Sequence, residues 1–427
     1  MNKKNYNILT NIYHINEYEN KLPNKMVLVK RKYLDFVFPE MYKSMCELKS
    51  KIDNRDYSKL WDKAKRKVNP YELVNVLGTN ILQTEQIKKC DNYTPLSRAF
   101  FKMTEILLSI CIIPDEYKSS PGVIANIAEG PGGFIEAIYK QRSIYDIKDM
   151  FYGITLQSKN RNIPGWNQLY RRKNHFLNNN KNVILKTGNL YNVKTILGYS
   201  KLFKNKKAWL VTGDGGFDYS NDFNNQEKNS RKILYAEITT TLLIQEIGGS
   251  MVCKMFDLFT KFSLQLVYLL TQVYKNVYII KPLTSRPANS EKYIVATGFK
   301  GINDTVIKSM LNQLSQWDKI QCELNNYYFN NTTFSILGRE IDDLKISNGF
   351  VIDNLILPEQ FIDEIRKINI SLTTNQKEYI TKTLNYIKNY KKNEEKYKKI
   401  QKEYSKLWFN NYNILNKNNI FTSLVIK

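Results

Sequence analysis

A glycine-rich segment after an apolar run is the first place in this chain where a ligand could bind. The segment is Glu129-Gly130-Pro131-Gly132-Gly133-Phe134. Glycines between a strand and a helix let a ligand approach the backbone, and the helix N-terminus offers free N–H groups. The segment matches neither GxGxxG nor GK(S/T), and its carboxylate suits an ammonium or hydroxyl group better than a phosphate. It therefore favours S-adenosylmethionine, which has an amino-acid moiety and no phosphate, over a nucleotide; the alternative is a merely tight turn.

Three further segments place charged side chains at strand ends. Asp214 lies in 212–217 and Lys254 in 253–257, while Glu291 closes the segment 285–291. Lys254 interrupts an apolar strand, where an unpaired ammonium would be costly, so it needs a carboxylate partner. Asp214 ends a strand that should be adjacent, and Glu291 begins a strand that runs back from the same edge. We therefore expect the three side chains to converge beside the glycine-rich turn.

A lysine among carboxylates fits methyl transfer to a ribose 2′-hydroxyl, which must lose its proton as the methyl group arrives. Lysine can take a proton only if its pKa is lowered, and burial together with a second nearby cation lowers it. Lys102, on a preceding helix, is the candidate second cation. The alternative is a static network of ion pairs. We also expect Gly132→Val to block the cofactor, because a branched Cβ would fill the space where the backbone approaches it.

The elements that carry these residues alternate along the chain. Short apolar runs predict seven strands, at 123–128, 150–156, 183–185, 208–212, 250–256, 277–281 and 292–296. Helical patterns are found at 97–112, 132–139, 231–247 and 262–273. This alternation predicts an α/β fold with a Rossmann-like, doubly wound and mostly parallel seven-stranded sheet. The last strand should be antiparallel, because the ten residues between Lys281 and Lys292 are too few for a crossover helix.

The segments on either side of this domain, which we place at 65–300, are less regular. Residues 1–64 predict an irregular, partly helical arm, and a helix is expected from Asn69-Pro70. Residues 301–427 predict a basic, mainly helical region with a strand pair near 327–337. Within it, Tyr390, Tyr397 and Tyr404 lie on one stripe. That stripe either packs on the body of the protein or forms a basic platform for RNA.

Composition points to a polyanionic partner. The 427 residues carry a formal net charge of +24, which suits nucleic acid or an anionic membrane surface; solubilising lysines are the alternative. No run reaches the roughly 18–20 apolar residues that a membrane span needs, so we expect a soluble intracellular protein. Five isolated cysteines and two histidines argue against a disulfide framework, a metal site and a Ser–His–Asp triad. The abundance of Asn, Lys, Ile and Tyr indicates an AT-rich genome.

Several strings resemble those of the FtsJ-like methyltransferases. They are NPYEL (69–73), SRAFFKM (97–103), AEGPGGF (128–134), GITL (153–156), TGDGGFD (212–218), CKMFDLFTKFS (253–263) and KPLTSRPANSEKYIV (281–295). Within that family the resemblance is greatest to the Adrift-type cap-specific mRNA (nucleoside-2′-O-)-methyltransferases of eukaryotes and large DNA viruses, over residues 65–300. It implies a Rossmann-like sheet, S-adenosylmethionine as donor and a Lys-Asp-Lys-Glu tetrad at Lys102, Asp214, Lys254 and Glu291. Lys254 would take or orient the 2′-hydroxyl proton.

The resemblance also implies roles for other residues. The turn at 129–134 maps onto the methionine-binding turn. Thr155 and Leu156 map onto the nucleoside side of the cofactor. Asn189 and Leu190 map onto the adenosine region, where relatives often carry Asp at the position of Asn189.

For the RNA, Glu227 resembles a carboxylate that contacts the guanine edge of the cap, although extra residues precede it here. Lys49 and Asp53 lie in a segment similar to one that clamps the cap, with Ile52 where relatives carry Phe. Arg286 and Asn289 are further candidates for RNA or cap contact.

The activity implied is methyl transfer to a ribose 2′-hydroxyl near the 5′ cap of mRNA, of the cap 1 type. The implied partners are the capped mRNA end and other capping or transcription proteins, with no membrane partner. A viral protein would act in the cytoplasm or virion and a cellular one in the nucleus. One alternative is an FtsJ-like enzyme acting on ribosomal or transfer RNA. The other is a non-catalytic RNA-binding subunit of a capping or polyadenylation complex.

Overall fold

A computed structural model describes residues 11–18, 22–31, 35–53, 55–75, 94–160, 163–216, 224–329, 349–389 and 393–412. The strands of the described residues are β1 (Asn11–Ile15), β2 (Leu28–Arg31), β3 (Val123–Ile127), β4 (Met150–Thr155), β5 (Val183–Thr187), β6 (Ala208–Gly213), β7 (Gln245–Met255), β8 (Tyr274–Lys281), β9 (Lys292–Phe299) and β10 (Gly349–Ile352). The α-helices are α1 (Pro39–Ser50), α2 (Arg55–Val68), α3 (Ala99–Ser109), α4 (Gly133–Ser143), α5 (Asn167–Arg171), α6 (Val193–Ser200), α7 (Gln226–Ile244), α8 (Lys261–Val273), α9 (Asp304–Phe329), α10 (Glu359–Lys388) and α11 (Glu394–Asn411).

Eight of these strands form one mixed sheet in the order β1-β8-β9-β7-β6-β3-β4-β5. The five strands from β5 to β7 in this order are parallel, and β9 is antiparallel to both β7 and β8. The predicted α/β class, the seven strands and the antiparallel last strand are thus confirmed. Every residue of β3 and of β6 is buried, as expected for parallel strands covered by helices on both faces.

Besides the seven predicted strands, the sheet contains one that was not predicted, β1, which extends it beyond β8. It pairs antiparallel with β8, from Asn11 opposite Lys281 to Ile15 opposite Val277. Only Ile15 of this strand is buried. An edge strand held mainly by its backbone ladder has no strong apolar alternation, so its sequence gives little signal.

The N-terminal segment is more regular than predicted. It contains the helices α1 and α2, and β2 pairs antiparallel with β10 from the C-terminal region. The helix expected from Asn69 begins later than predicted: residues 70–73 form a turn, residues 74 and 75 are helical, and residues 76–93 lie outside the described part. The Gln401 side chain of α11 donates to the carbonyl oxygens of Arg66, Lys67 and Asn69. The helix α11 therefore packs against the end of α2.

Where the structure describes the C-terminal region, it is mainly helical, as predicted. The strand pair expected near 327–337 is wrong at residues 327–329, which end α9, and its remainder lies outside the described residues. Tyr397 packs edge-on against Tyr386, and Tyr404 packs edge-on against Tyr71. These contacts favour packing of the tyrosine stripe over an RNA platform; Tyr390 lies outside the described residues. Throughout the described ranges, the helices lack the combination of length and apolar character that crossing a bilayer requires.

Candidate active site

Lys254 and Asp214 meet at the carboxyl ends of two adjacent parallel strands. Gly213 of β6 lies opposite Cys253 of β7, so the residues that follow them are neighbours. Lys254 Nζ lies 3.2 Å from Asp214 Oδ1 and donates to the Asp214 carbonyl oxygen at 2.7 Å. The Tyr293 hydroxyl donates to the same Oδ1 at 3.2 Å. The carboxylate partner that the sequence required for Lys254 is therefore present.

Lys102 and Glu291 form a second ion pair at this edge. Lys102 Nζ, on α3, lies 2.7 Å from Glu291 Oε1 and 2.9 Å from Oε2. Glu291 precedes β9, whose first residues pair with the end of β7 from Lys254 to Met255. The antiparallel direction of β9 thus brings its start to the edge where the parallel strands end. The structure thus brings Asp214, Lys254 and Glu291, together with Lys102, to one edge of the sheet.

The electrostatics of the cluster differ from the expectation. Burial alone would lower the pKa of Lys254, but the carboxylates of Asp214, Glu291 and Glu237 outweigh burial and raise it. The expected lowering by Lys102 is wrong, because the Lys102 charge is paired with Glu291. Burial would raise the pKa of Glu291, yet its neighbouring lysines, Lys102 foremost, hold it well below its usual range. The two lysines and two carboxylates of the cluster therefore pair as opposite charges.

The glycine-rich turn presents one buried carboxylate oxygen without a partner. Glu129 Oε1 accepts a hydrogen bond of 2.6 Å from the Phe134 amide, whereas Oε2 has no partner among the described residues. Burial and the nearby Asp214 carboxylate raise the pKa of Glu129 well above its ordinary value. Buried polar atoms in proteins are nearly always hydrogen-bonded, so Oε2 is suited to a ligand that brings an ammonium or another donor.

The glycines of this turn are constrained mainly by the protein itself. A Cβ at Gly130 would lie 2.2 Å from the Pro164 carbonyl oxygen, and one at Gly133 would lie 2.4 Å from Ser97 Oγ. Gly132 has φ +112°, but a Cβ there would meet nothing closer than 3.4 Å. The left-handed backbone of Gly132 by itself favours glycine, and the expected obstruction of the cofactor by a valine at this position stays a prediction. Pro131 is buried, and the Phe134 ring lies in the core.

The remaining predicted cofactor residues follow the neighbouring strands β4 and β5. Thr155 Oγ1 accepts from the Gly130 amide at 3.2 Å, which ties β4 to the turn. Leu156, next along the chain, is 41% exposed. The side chain of Asn189 accepts from the Tyr191 amide at 2.9 Å, and Leu190 is buried. These residues lie along the same carboxyl edge of the sheet as the turn.

Three residues predicted to contact RNA or cap are engaged in structural contacts instead. The Glu227 carboxylate accepts from the Phe259 and Thr260 amides and from the Thr260 hydroxyl, at 2.8–3.1 Å, and only 7% of the residue is exposed. Lys49 is buried in an ion pair of 3.2 Å with Asp257. Arg286 makes a bidentate pair with Glu72 at 2.9 and 3.1 Å. We therefore do not retain Glu227, Lys49 or Arg286 as cap contacts.

For the other two RNA candidates, Asn289 and Asp53, the described residues show no side-chain contact that would rule out RNA binding. The Asn289 carbonyl oxygen accepts from Lys281 at 2.7 Å, while its side chain stays a candidate. The side chain of Asp53 lies outside the described residues. Ile52, in the place of the expected aromatic residue, is buried.

Sequence reasoning missed two buried charged residues that support the cluster. Glu237, on α7, accepts from the Gly215 amide at 2.8 Å, and burial raises its pKa to about 7. Lys281, at the end of β8, donates to carbonyl oxygens of the loop that carries Glu291. Both are charged residues within apolar runs, which is the signal that identified Lys254.

This sheet order, with a ligand turn after β3 and a Lys-Asp-Lys-Glu cluster at the same edge, defines a Rossmann-like methyltransferase fold. Residues 95–299 match the model of the FtsJ-like methyltransferase family. The chain therefore contains an FtsJ-like methyltransferase domain.

The similarity to curated relatives covers more of this chain than that domain does. The chain is 26% identical over 398 residues to the cap-specific mRNA (nucleoside-2′-O-)-methyltransferase 1A of Caenorhabditis briggsae, covering 88% of this chain and 42% of the relative. It is 25% identical over 395 residues to the inactive 1B protein of the same organism, covering 87% and 43%. It is 29% identical over 310 residues to the cap-specific mRNA (nucleoside-2′-O-)-methyltransferase 1 of Homo sapiens, covering 69% and 36%. The match thus spans less than half the length of each relative. Because one of them is named inactive, similarity alone does not decide activity.

The structural role of Glu227 can be tested by its effect on stability. Glu227→Ala leaves the Phe259 and Thr260 amides without their acceptor, so the free energy of unfolding should fall by about 1–3 kcal/mol or more. Denaturant unfolding measures this change. Glu40→Ala, which removes an exposed acidic residue from the first turn of α1, is the matched control and should change stability little. Unchanged stability of Glu227→Ala together with lost binding of a cap analogue would restore the cap assignment.

Proposed function

We propose that this chain transfers a methyl group from S-adenosylmethionine to a ribose 2′-hydroxyl near the 5′ cap of mRNA. The proposal rests on two ion pairs at the sheet edge that also holds the glycine-rich turn. Lys254 pairs with Asp214, and Lys102 pairs with Glu291. The names of the curated relatives support the cap as the site of methylation. We assign the catalytic unit to residues 65–300, with 1–64 and 301–427 as additions.

The residues of the turn fit S-adenosylmethionine. Glu129 would bind its ammonium group through the unpartnered oxygen Oε2. Thr155, Leu156, Asn189 and Leu190 would border its nucleoside, and the backbone from Gly130 to Phe134 would line its methionine part. When bound, the cofactor supplies an electrophilic methyl group on a sulfonium centre.

Lys254 is the residue that acts on the acceptor. Asp214 holds its ammonium through two contacts, which leave one direction of Nζ for the 2′-hydroxyl. Gly216 keeps space beside the nitrogen, since a Cβ there would lie 2.9 Å from Nζ. In the charged form that the neighbouring carboxylates favour, Lys254 orients the hydroxyl oxygen; to take the hydroxyl proton it must first lose a proton of its own, against its raised pKa. Glu291 and Lys102 keep the lysine in place by balancing the charge around it.

A non-catalytic role is the second candidate, because one relative is named inactive. The intact cluster of two lysines and two carboxylates argues against it. Buried ion pairs cost about as much in desolvation as they return, so a protein without transfer activity gains little from two of them.

The cofactor assignment predicts the behaviour of Glu129→Gln. The amide can still accept from Phe134 but loses the charge, so affinity for S-adenosylmethionine should fall about 10- to 100-fold, the value of a charge-assisted hydrogen bond. Isothermal titration calorimetry measures this affinity. Glu116→Gln, an exposed acidic residue on the same domain, is the control. Equal affinities of Glu129→Gln and wild type would exclude Glu129 from the cofactor site.

The pH dependence of that affinity gives an independent check. Because the pKa of Glu129 is raised, the free protein holds a proton on this carboxylate at pH values below that pKa, and an ammonium ligand must displace it there. Wild-type affinity should therefore increase as pH rises toward that pKa and level off above it. The Glu129→Gln variant should lack this increase.

The cap assignment is tested by mapping the methyl group on short transcripts. Basic surface residues bind RNA phosphates without regard to sequence, and this binding weakens steeply with salt. A pocket for the charged methylguanine depends on stacking and is less sensitive to salt. Methylation should therefore occur at the first transcribed nucleotides of capped RNA, with a preference over uncapped RNA that persists as salt rises. Methyl groups spread over internal nucleotides, with or without a cap, would reject the cap and leave a ribosomal or transfer RNA substrate.

A further inference from the structure

Lys281 is a buried lysine whose side-chain hydrogen bonds to described residues all go to the loop that carries Glu291. It is the last residue of β8 and is 6% exposed. Its Nζ donates to the Asn289 carbonyl oxygen at 2.7 Å, to the Glu291 carbonyl oxygen and to Ser285 Oγ at 3.2 Å. The loop 282–291 thus closes around one ammonium group.

The number and direction of these hydrogen bonds are matched to a charged lysine. An ammonium group has three protons and no acceptor, and three acceptors surround Nζ here. The Ser285 hydroxyl donates its own proton to Glu291 Oε1 at 2.8 Å. Its oxygen can therefore only accept from Lys281. Hydrogen bonds run from Lys281 through Ser285 to Glu291, which in turn binds Lys102.

We propose that Lys281 is a positioning residue for methyl transfer, which orders the 282–291 loop and so holds the Glu291 carboxylate between Lys102 and Lys254. The inference rests on the proposed function of that cluster. Lys281 itself does not contact the acceptor in this account. Its effect on the reaction passes through Ser285 and the backbone of Glu291.

The charge of Lys281 is labile near neutral pH. Burial lowers the pKa of Lys281 to about 7; the Lys292 and Lys102 ammonium groups also lower it, while Glu291 and Asp257 oppose them. A neutral amine has two protons for three acceptors, so one hydrogen bond to the loop is lost on deprotonation. The positioning of Glu291 should therefore weaken as pH rises through about 7.

Lys281→Met tests the role, because methionine fills similar space without donors or charge. Its kcat should be about 10- to 100-fold below wild type, the usual cost of misplaced catalytic groups, with little change in the KM for S-adenosylmethionine. The ratio of wild-type to variant kcat should be largest below pH 7 and should fall as pH rises through about 7. Lys275→Met, an exposed lysine on the same strand, is the control and should match wild type. A ratio near one, or a reduced kcat whose ratio is independent of pH, would overturn the inference.

Hydrogen exchange and a second variant test the same role of Lys281 independently. Hydrogen exchange of peptides covering residues 283–291 should speed up in Lys281→Met and not in Lys275→Met; unchanged exchange would overturn the ordering of the loop. This measurement needs no activity, so a wild-type protein that methylates no RNA would reject the proposed function without deciding on Lys281. If Lys281→Met does not fold, Ser285→Ala removes only the link to Glu291. It should lower kcat by a smaller factor, and wild-type kcat would count against the inference.

Discussion

The structure of this site depends on neutralising one buried lysine. The ammonium of Lys254 is almost enclosed, and an unpaired charge in such a place would cost several kcal/mol. Asp214 offsets this cost from the adjacent parallel strand, and Glu291 does so from the start of the antiparallel strand. Both partners reach Lys254 only because β6, β7 and β9 are neighbours in this order. The antiparallel direction of β9 is therefore part of what brings these charges together.

Parts of the chain far from the cluster hold the loop that contains Glu291. The Glu105 carboxylate, on α3, accepts from the Leu283 and Thr284 amides. It also accepts from the Trp408 indole of α11, at 3.1 Å. On the other side of the loop, Gln376 of α10 donates to the Ala288 carbonyl oxygen. The C-terminal helices thus support the loop that contains Glu291 as well as packing against the N-terminal helices, which gives them a role that their basic composition does not indicate.

The sequence predicted the parts of this structure that depend on local patterns. The central strands are apolar because helices cover both faces of the sheet, and Lys254 was recognisable because it interrupts such a strand. Topology then predicted that Asp214, Lys254 and Glu291 share one edge. The strand β1 was missed because its position at the edge requires little apolar character.

Pairings between distant segments could not be predicted. Arg286 and Lys49 had the residue type of RNA contacts, but their partners Glu72 and Asp257 lie more than 200 positions away in sequence. Whether the pKa of Lys254 is raised or lowered depends on how many carboxylates lie near it, and one of them, Glu237, is on a separate helix. The number of charged groups near a residue is known only from the three-dimensional structure. The same limit applies to the three acceptors around Lys281.

The central claim is that Lys254 acts on the acceptor proton, and single-turnover methylation of a capped transcript by Lys254 variants tests it most directly. We predict that Lys254→Met loses about 10²–10⁴-fold in rate while binding S-adenosylmethionine as wild type does. Lys254→Arg should be equally impaired, since a guanidinium stays protonated and cannot take the hydroxyl proton. Lys186→Met, an exposed lysine on β5, should transfer at the wild-type rate. A wild-type rate in Lys254→Met or Lys254→Arg would contradict the account.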